Sequence, residues 1–92
     1  MARFTVRVEL HDASWEQYEK LYEKMAAQGF TDTIPTTGDT VKMPPAEYNF
    51  DGQATKEQVL EKAKSCAAQV VRKYAVLVTE SNGRIWYGLE KA

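Results

Sequence analysis

At 92 residues, with 43% hydrophobic and 27% charged side chains, the chain has the composition of one globular domain (1–92), neither disordered nor membranous. A formal net charge of −1 excludes bulk electrostatic attraction to nucleic acid or anionic lipid and leaves room only for a local basic patch. The single cysteine, Cys66, excludes an internal disulfide and a cysteine-built zinc site, and no run reaches the roughly 20 apolar residues of a membrane span; a soluble, cytoplasmic protein is expected.

The opening MARFTVRVEL alternates polar and apolar residues and lacks the continuous apolar core of a signal peptide. Arg3 to Leu10 reads as a strand with one buried face. Phe4, Val6, Val8 and Leu10 point one way, and Arg3, Thr5, Arg7 and Glu9 the other. After the short link His11-Asp12-Ala13, Ser14 and Gln17 form a capping-box pattern that starts a helix running to about Gln28. Its apolar stripe is Trp15, Tyr18, Leu21, Tyr22 and Met25, and Gly29 supplies the left-handed residue that ends it.

Thr31 to Thr36 is β-branched enough for a strand, which Pro35 confines to an edge, and Gly38-Asp39 reads as a hairpin turn. Val41 to Phe50 is its return strand, with Ala46, Tyr48 and Phe50 on one face and Glu47 and Asn49 on the other. Pro44-Pro45 cannot sit in a regular ladder, so a bulge, bend or excursion is expected there. Thr55 and Gln58 form a second capping box. The helix from Lys56 to about Val71 buries Val59, Leu60, Ala63, Cys66, Ala67, Val70 and Val71.

Tyr74 to Glu90 carries two apolar runs joined at Asn82-Gly83, the dipeptide favoured in type I′ hairpin turns. The two-residue loop predicts Thr79 opposite Trp86 and Val78 opposite Tyr87. Val76, Val78, Ile85, Tyr87 and Leu89 then face the core, and Ala75, Leu77, Thr79 and Trp86 form an unusually apolar outer face. The order β-α-β-β-α-β, plus one extra C-terminal strand, is that of a ferredoxin-like split βαβ. The predicted fold class is α+β: a five-stranded antiparallel sheet with two helices on one face, and the first strand lying between the 41–50 and 74–80 strands.

The helix-free face of such a sheet presents Arg3, Thr5, Arg7 and Glu9 beside Ala75, Leu77, Thr79 and Trp86. Two functions fit it. Arginines next to an exposed aromatic ring suit a single-stranded RNA platform, with Arg on phosphate and the ring stacked on a base. The same residues suit a homodimer interface, with Leu77 and Trp86 at its centre and the charges as its polar rim. The paired aromatics of the RNA-recognition signature are absent, as Thr5 and Arg7 stand there. His11-Asp12, at the end of the first strand, joins the only histidine to a carboxylate. Asp12 is a candidate metal ligand and His11 a candidate general base. The alternative is that Asp12 simply turns the chain and favours the following helix N-terminus. Trp15, Tyr18 and Tyr22 read as core packing, Cys66 as an inert small hydrophobe, and Lys56, Lys62 and Lys64 as a solvated helix face. Nothing else resembles a catalytic constellation, and beyond Asp12 as a candidate metal ligand the sequence identifies no cofactor.

The pattern RFTVRVEL, a Trp/Tyr-rich first helix, PPAEYNF, T-x-E-Q-V-L and YAVLVTE-x-NGR-x-WYGL resembles a group of small bacterial proteins. These in turn are distantly similar to the GhoS antitoxin family of type V toxin–antitoxin systems. That resemblance implies a ferredoxin-like endoribonuclease acting on a toxin messenger, in a fold related to the CRISPR-adaptation nucleases. In those relatives an aspartate at the end of the first strand serves the metal site, and Asp12 stands at the matching place. It also implies a homodimer in which the last strand completes or packs against the partner's sheet. Two functions are therefore carried forward: an antitoxin-like protein that binds or cleaves single-stranded RNA, and a non-enzymatic homodimeric interaction module.

Overall fold

A computed structural model of the chain describes residues 2–36, 39–85 and 87–91. The elements in order are β1 (Ala2–Leu10), α1 (Trp15–Ala27), β2 (Thr33–Thr36), β3 (Asp39–Lys42), β4 (Glu47–Gly52), α2 (Lys56–Ala68) and β5 (Tyr74–Glu80). β1 forms as its alternation demands, with Phe4, Val6 and Val8 fully buried and Leu10 nearly so. It is the central strand of a three-stranded antiparallel sheet ordered β4-β1-β5, so its expected neighbours are the observed ones.

Both capping boxes close. The Ser14 hydroxyl accepts from the Gln17 N–H at 3.2 Å while the Gln17 side chain accepts from the Ser14 N–H at 2.8 Å; Thr55 and Gln58 repeat the pattern. Leu21 and Met25 of α1 and Val59, Ala63, Cys66 and Ala67 of α2 join Phe4, Val6, Val8, Leu10, Phe30 and Tyr48 in one core cluster. Tyr18 and Tyr22 are half-buried because their hydroxyls are engaged. Tyr18 Oη exchanges hydrogen bonds with the backbone of Leu10, and Tyr22 Oη accepts from the Ala46 N–H. Trp15 departs from the expected stripe. It is 69% exposed, since the first residue of α1 lies beyond the edge of the core. α2 ends at Ala68, earlier than expected, in a tight last turn that leaves Val70 and Val71 outside the helix but packed on the core.

Gly29 ends α1 with φ +92, a conformation that costs an L-residue about 1–2 kcal/mol. An added Cβ there meets only ordinary contact, Phe50 Cε2 at 3.5 Å. Gly29→Ala is therefore expected to lower the unfolding free energy in urea by about that backbone cost and no more.

Three expectations are corrected. The return strand 41–50 is two strands. Pro44-Pro45 ends β3, Ala46 takes φ +66, and β4 starts afresh at Glu47 on the edge of β1. β2 and β3 consequently form their own two-stranded sheet, tied to β4 by a Thr31–Asn49 bridge. The turn assigned to Gly38-Asp39 lies partly outside the described residues; Asp39 itself opens β3.

The second correction concerns the sheet, which has three strands rather than five, and the third concerns the C-terminal hairpin, where among the described residues no strand follows Asn82-Gly83. Neither residue has the positive φ that a type I′ turn requires. The Ser81 hydroxyl instead accepts from the Gly83 N–H at 3.2 Å and donates to its carbonyl at 3.1 Å, closing a different local turn. The chain then leaves β5, passes Thr5 and reaches the β2–β3 hairpin, where the Lys42 N–H donates to the Glu90 carbonyl and Val41 bridges Lys91. Ile85 and Tyr87, expected in the core, are 98% and 99% exposed. Among the described residues no helix is long and apolar enough to cross a membrane.

Candidate functional site

The register of β1 with its two neighbours assembles the helix-free face row by row, because directly opposed residues of antiparallel strands share a face. Asp51, Arg3 and Ser81 form one row and Asn49, Thr5 and Thr79 the next. Glu47, Arg7 and Leu77 follow, and Glu9 and Ala75 close the face. Five of the six residues assigned to an RNA or dimer face (Arg3, Thr5, Arg7, Leu77 and Thr79) are thus brought together. Trp86, the sixth, lies outside the described residues.

β4 adds what the sequence reading did not foresee, an acidic partner for each arginine. Arg3 Nε donates to Asp51 Oδ1 at 3.0 Å, and Arg7 Nη1 lies 3.6 Å from Glu47 Oε2. Exposed pairs of this kind contribute about 0–1 kcal/mol each, so they orient the arginines more than they stabilise the fold. Arg84 is a third arginine at this face, its Nη1 donating to Thr5 Oγ1 at 3.4 Å. Burial, then repulsion from Arg3, lowers its pKa against the attraction of Asp51. Asn49 is only 4% exposed although the strand pattern turned it outward; its amide donates to Asp51 Oδ2 at 2.9 Å. Asn49 Oδ1 and Arg84 Nη2 are buried polar atoms without a hydrogen-bond partner among the described residues. Both atoms are closed off from solvent, so leaving them unpaired costs stability rather than offering a ligand a contact.

Burial alone would raise the Asp51 carboxyl, but hydrogen bonds from Asn49 and Arg3 and the charges of Arg3 and Arg84 hold it below the ordinary carboxylate range. A carboxyl with a depressed folded-state pKa contributes stability that is fully present above its unfolded value, about pH 4, and lost as pH falls through the folded value. Denaturation midpoints measured from neutral pH into acid should therefore fall below about pH 4, and less steeply in Arg3→Ala.

The residues assigned to catalysis lie at one end of this face. His11 Nε2 is 3.2 Å from Glu9 Oε1, and the His11 N–H donates to the Lys73 carbonyl. Asp12 takes φ +55, the turn conformation that its short polar side chain tolerates. Among the described residues no group of three or more His, Cys, Asp or Glu side chains is placed to hold a metal ion. A cleft of about 490 Å³ opens at the other end, between Arg3, Asp51 and the Ser81–Gly83 turn. A second of about 370 Å³ runs between the C-terminal segment and the hairpin, lined by Thr5, Glu47, Arg84, Ile85 and Tyr87 among others. Arg84 and Tyr87 are site residues that sequence reasoning missed, having been absorbed into the expected turn and core. The one available signal was their adjacency to the apolar outer face. No family model, curated protein or solved structure matches this chain.

Proposed function

We propose that this chain is an RNA-acting, antitoxin-like protein that holds single-stranded RNA on its helix-free face. The observation that carries the reading is the gathering of Arg3, Arg7 and Arg84 on that face, with the ring of Tyr87 fully open to solvent beside Arg84 and Thr5. Guanidinium groups bind phosphate, and an exposed ring offers a stacking surface to any base. The ion pairs with Asp51 and Glu47 hold Arg3 and Arg7 along the face and make RNA binding an exchange of partners. The strand order β4-β1-β5, with the Thr31–Asn49 bridge on the far side of β4, supports reading the scaffold as a reduced ferredoxin-like fold. Any cleavage falls to His11 as general base.

The test is titration of labelled protein with short single-stranded RNAs, with and without Mg²⁺. Saturable shifts are expected on Arg3, Arg7, Leu77 and Arg84. Arg7→Ala should weaken binding about tenfold and reduce the salt slope by about one. Tyr87→Ala should lose about 1–3 kcal/mol of stacking. His11→Ala should abolish cleavage without abolishing binding. Silence at all of these residues rejects the reading.

A second reading, a non-enzymatic homodimeric interaction module using the same face, is favoured by the exposure of Ile85 and by Leu77, which is 63% exposed. It predicts that Ile85→Ser yields monomers.

A further inference from the structure

We propose that the outer edge of β5 is a self-pairing interface, through which a second copy of this chain joins the two three-stranded sheets into one continuous sheet. The inference stands apart from the RNA reading and uses the sheet edge rather than its helix-free face. β5 is the last strand in the order β4-β1-β5, and among the described residues no backbone hydrogen bond reaches its outer side. The parity of that edge is set by two bonds to β1. The Ser81 N–H donates to the Arg3 carbonyl at 2.8 Å, and the His11 N–H donates to the Lys73 carbonyl at 3.0 Å. Odd-numbered residues of β5 therefore turn their backbone groups toward β1, and Tyr74, Val76, Val78 and Glu80 turn theirs outward.

The sequence of this edge is compatible with itself under a two-fold axis at Leu77. Antiparallel pairing about that axis sets Val76 opposite Val78 and Tyr74 opposite Glu80, and these are the positions whose N–H and C=O groups point outward. Leu77 then meets Leu77 of the second copy at the close, non-hydrogen-bonded position, which buries a side chain now 63% exposed. On the helix side, a groove of about 260 Å³ between α2 and β5, floored by Leu60, Val76 and Val78, receives the valines of the other copy. Within Tyr74–Glu80 the edge has no proline, no bulge and no lysine, and its one charge, Glu80, stands at the end of the strand.

Sedimentation and light scattering of the whole chain over a roughly hundredfold concentration range test the proposal, since dimerisation must follow mass action. The wild type should double its mass as concentration rises, with the Val76 and Val78 amides gaining protection from hydrogen exchange. Leu77→Lys places like charges on the axis, and Val76→Pro deletes one outward N–H without touching the β1 ladder; both should remain monomeric. Native near-ultraviolet circular dichroism of either variant is enough to read the result. Ile85→Ser should still dimerise, which separates this edge from the helix-free face. A wild type that stays monomeric throughout, or a dimer that survives both edge variants, overturns the proposal.

Discussion

Phe4→Ala is expected to cost about 3–5 kcal/mol of unfolding free energy, whereas Ile85→Ala is expected to change it by less than about 0.5 kcal/mol. Phe4 is fully buried on the central strand, packed in the shared core of both helices and 6.3 Å from the Phe50 ring centroid. Truncating it removes the transfer free energy of the ring and leaves a cavity between layers that cannot collapse, because β1 is held on both edges. Ile85 is an equally apolar residue in an equally strand-like stretch, yet it touches solvent almost everywhere. Urea denaturation of the two variants measures the contrast directly. Equal losses would place Ile85 in the core and restore the hairpin that the Asn82-Gly83 dipeptide suggests.

Tyr48 is expected to tolerate one substitution and not another at the same site. Its ring lies between Tyr22, 5.4 Å away, and Phe30, 6.4 Å away, so Tyr48→Ala should lose about 3–5 kcal/mol. Its hydroxyl is buried without a hydrogen-bond partner. Burial, reinforced by the nearby Tyr22 and Asp32, pushes the phenol's pKa above its usual value, so it is uncharged at neutral pH. An unsatisfied buried hydroxyl costs about 1–3 kcal/mol, so Tyr48→Phe should be neutral or stabilising, with a raised melting temperature. A loss in Tyr48→Phe comparable to that in Tyr48→Ala would mean that the hydroxyl is satisfied after all.

Elements whose signal is local were legible in the sequence. The alternation of Phe4, Val6, Val8 and Leu10 defines a face without reference to any other strand, and Ser14–Gln17 and Thr55–Gln58 each close within four residues. The same period of two placed Arg3, Thr5 and Arg7 on one face, and the crossover rule placed β5 beside them with Leu77 and Thr79. What depended on competition between neighbours was not legible. Asn82-Gly83 permits a hairpin turn, but the Ser81 hydroxyl offers its backbone a nearer partner, and Arg84 finds Thr5 across the sheet. The carboxylates facing Arg3 and Arg7 follow only from the β1–β4 register, which the break at Pro44-Pro45 makes unreadable from the chain alone. That pairing changes a basic platform into an electrically balanced one.

The position of β1 at the centre of the sheet has a consequence during synthesis. Ribosomes deliver the chain from its amino end at about 5–20 residues per second. The strand made first is flanked by strands that emerge roughly 45 and 70 residues later, so both of its edges and its greasy face wait for company. α1 leans chiefly on α2, which is made later still, so the early strand and helix offer each other little cover, and no ladder closes on the β5 side until Tyr74–Glu80 has been made. Chaperone dependence and inclusion-body formation should then track the integrity of β5, a strand that contributes little to the buried core yet seals the one that contributes most.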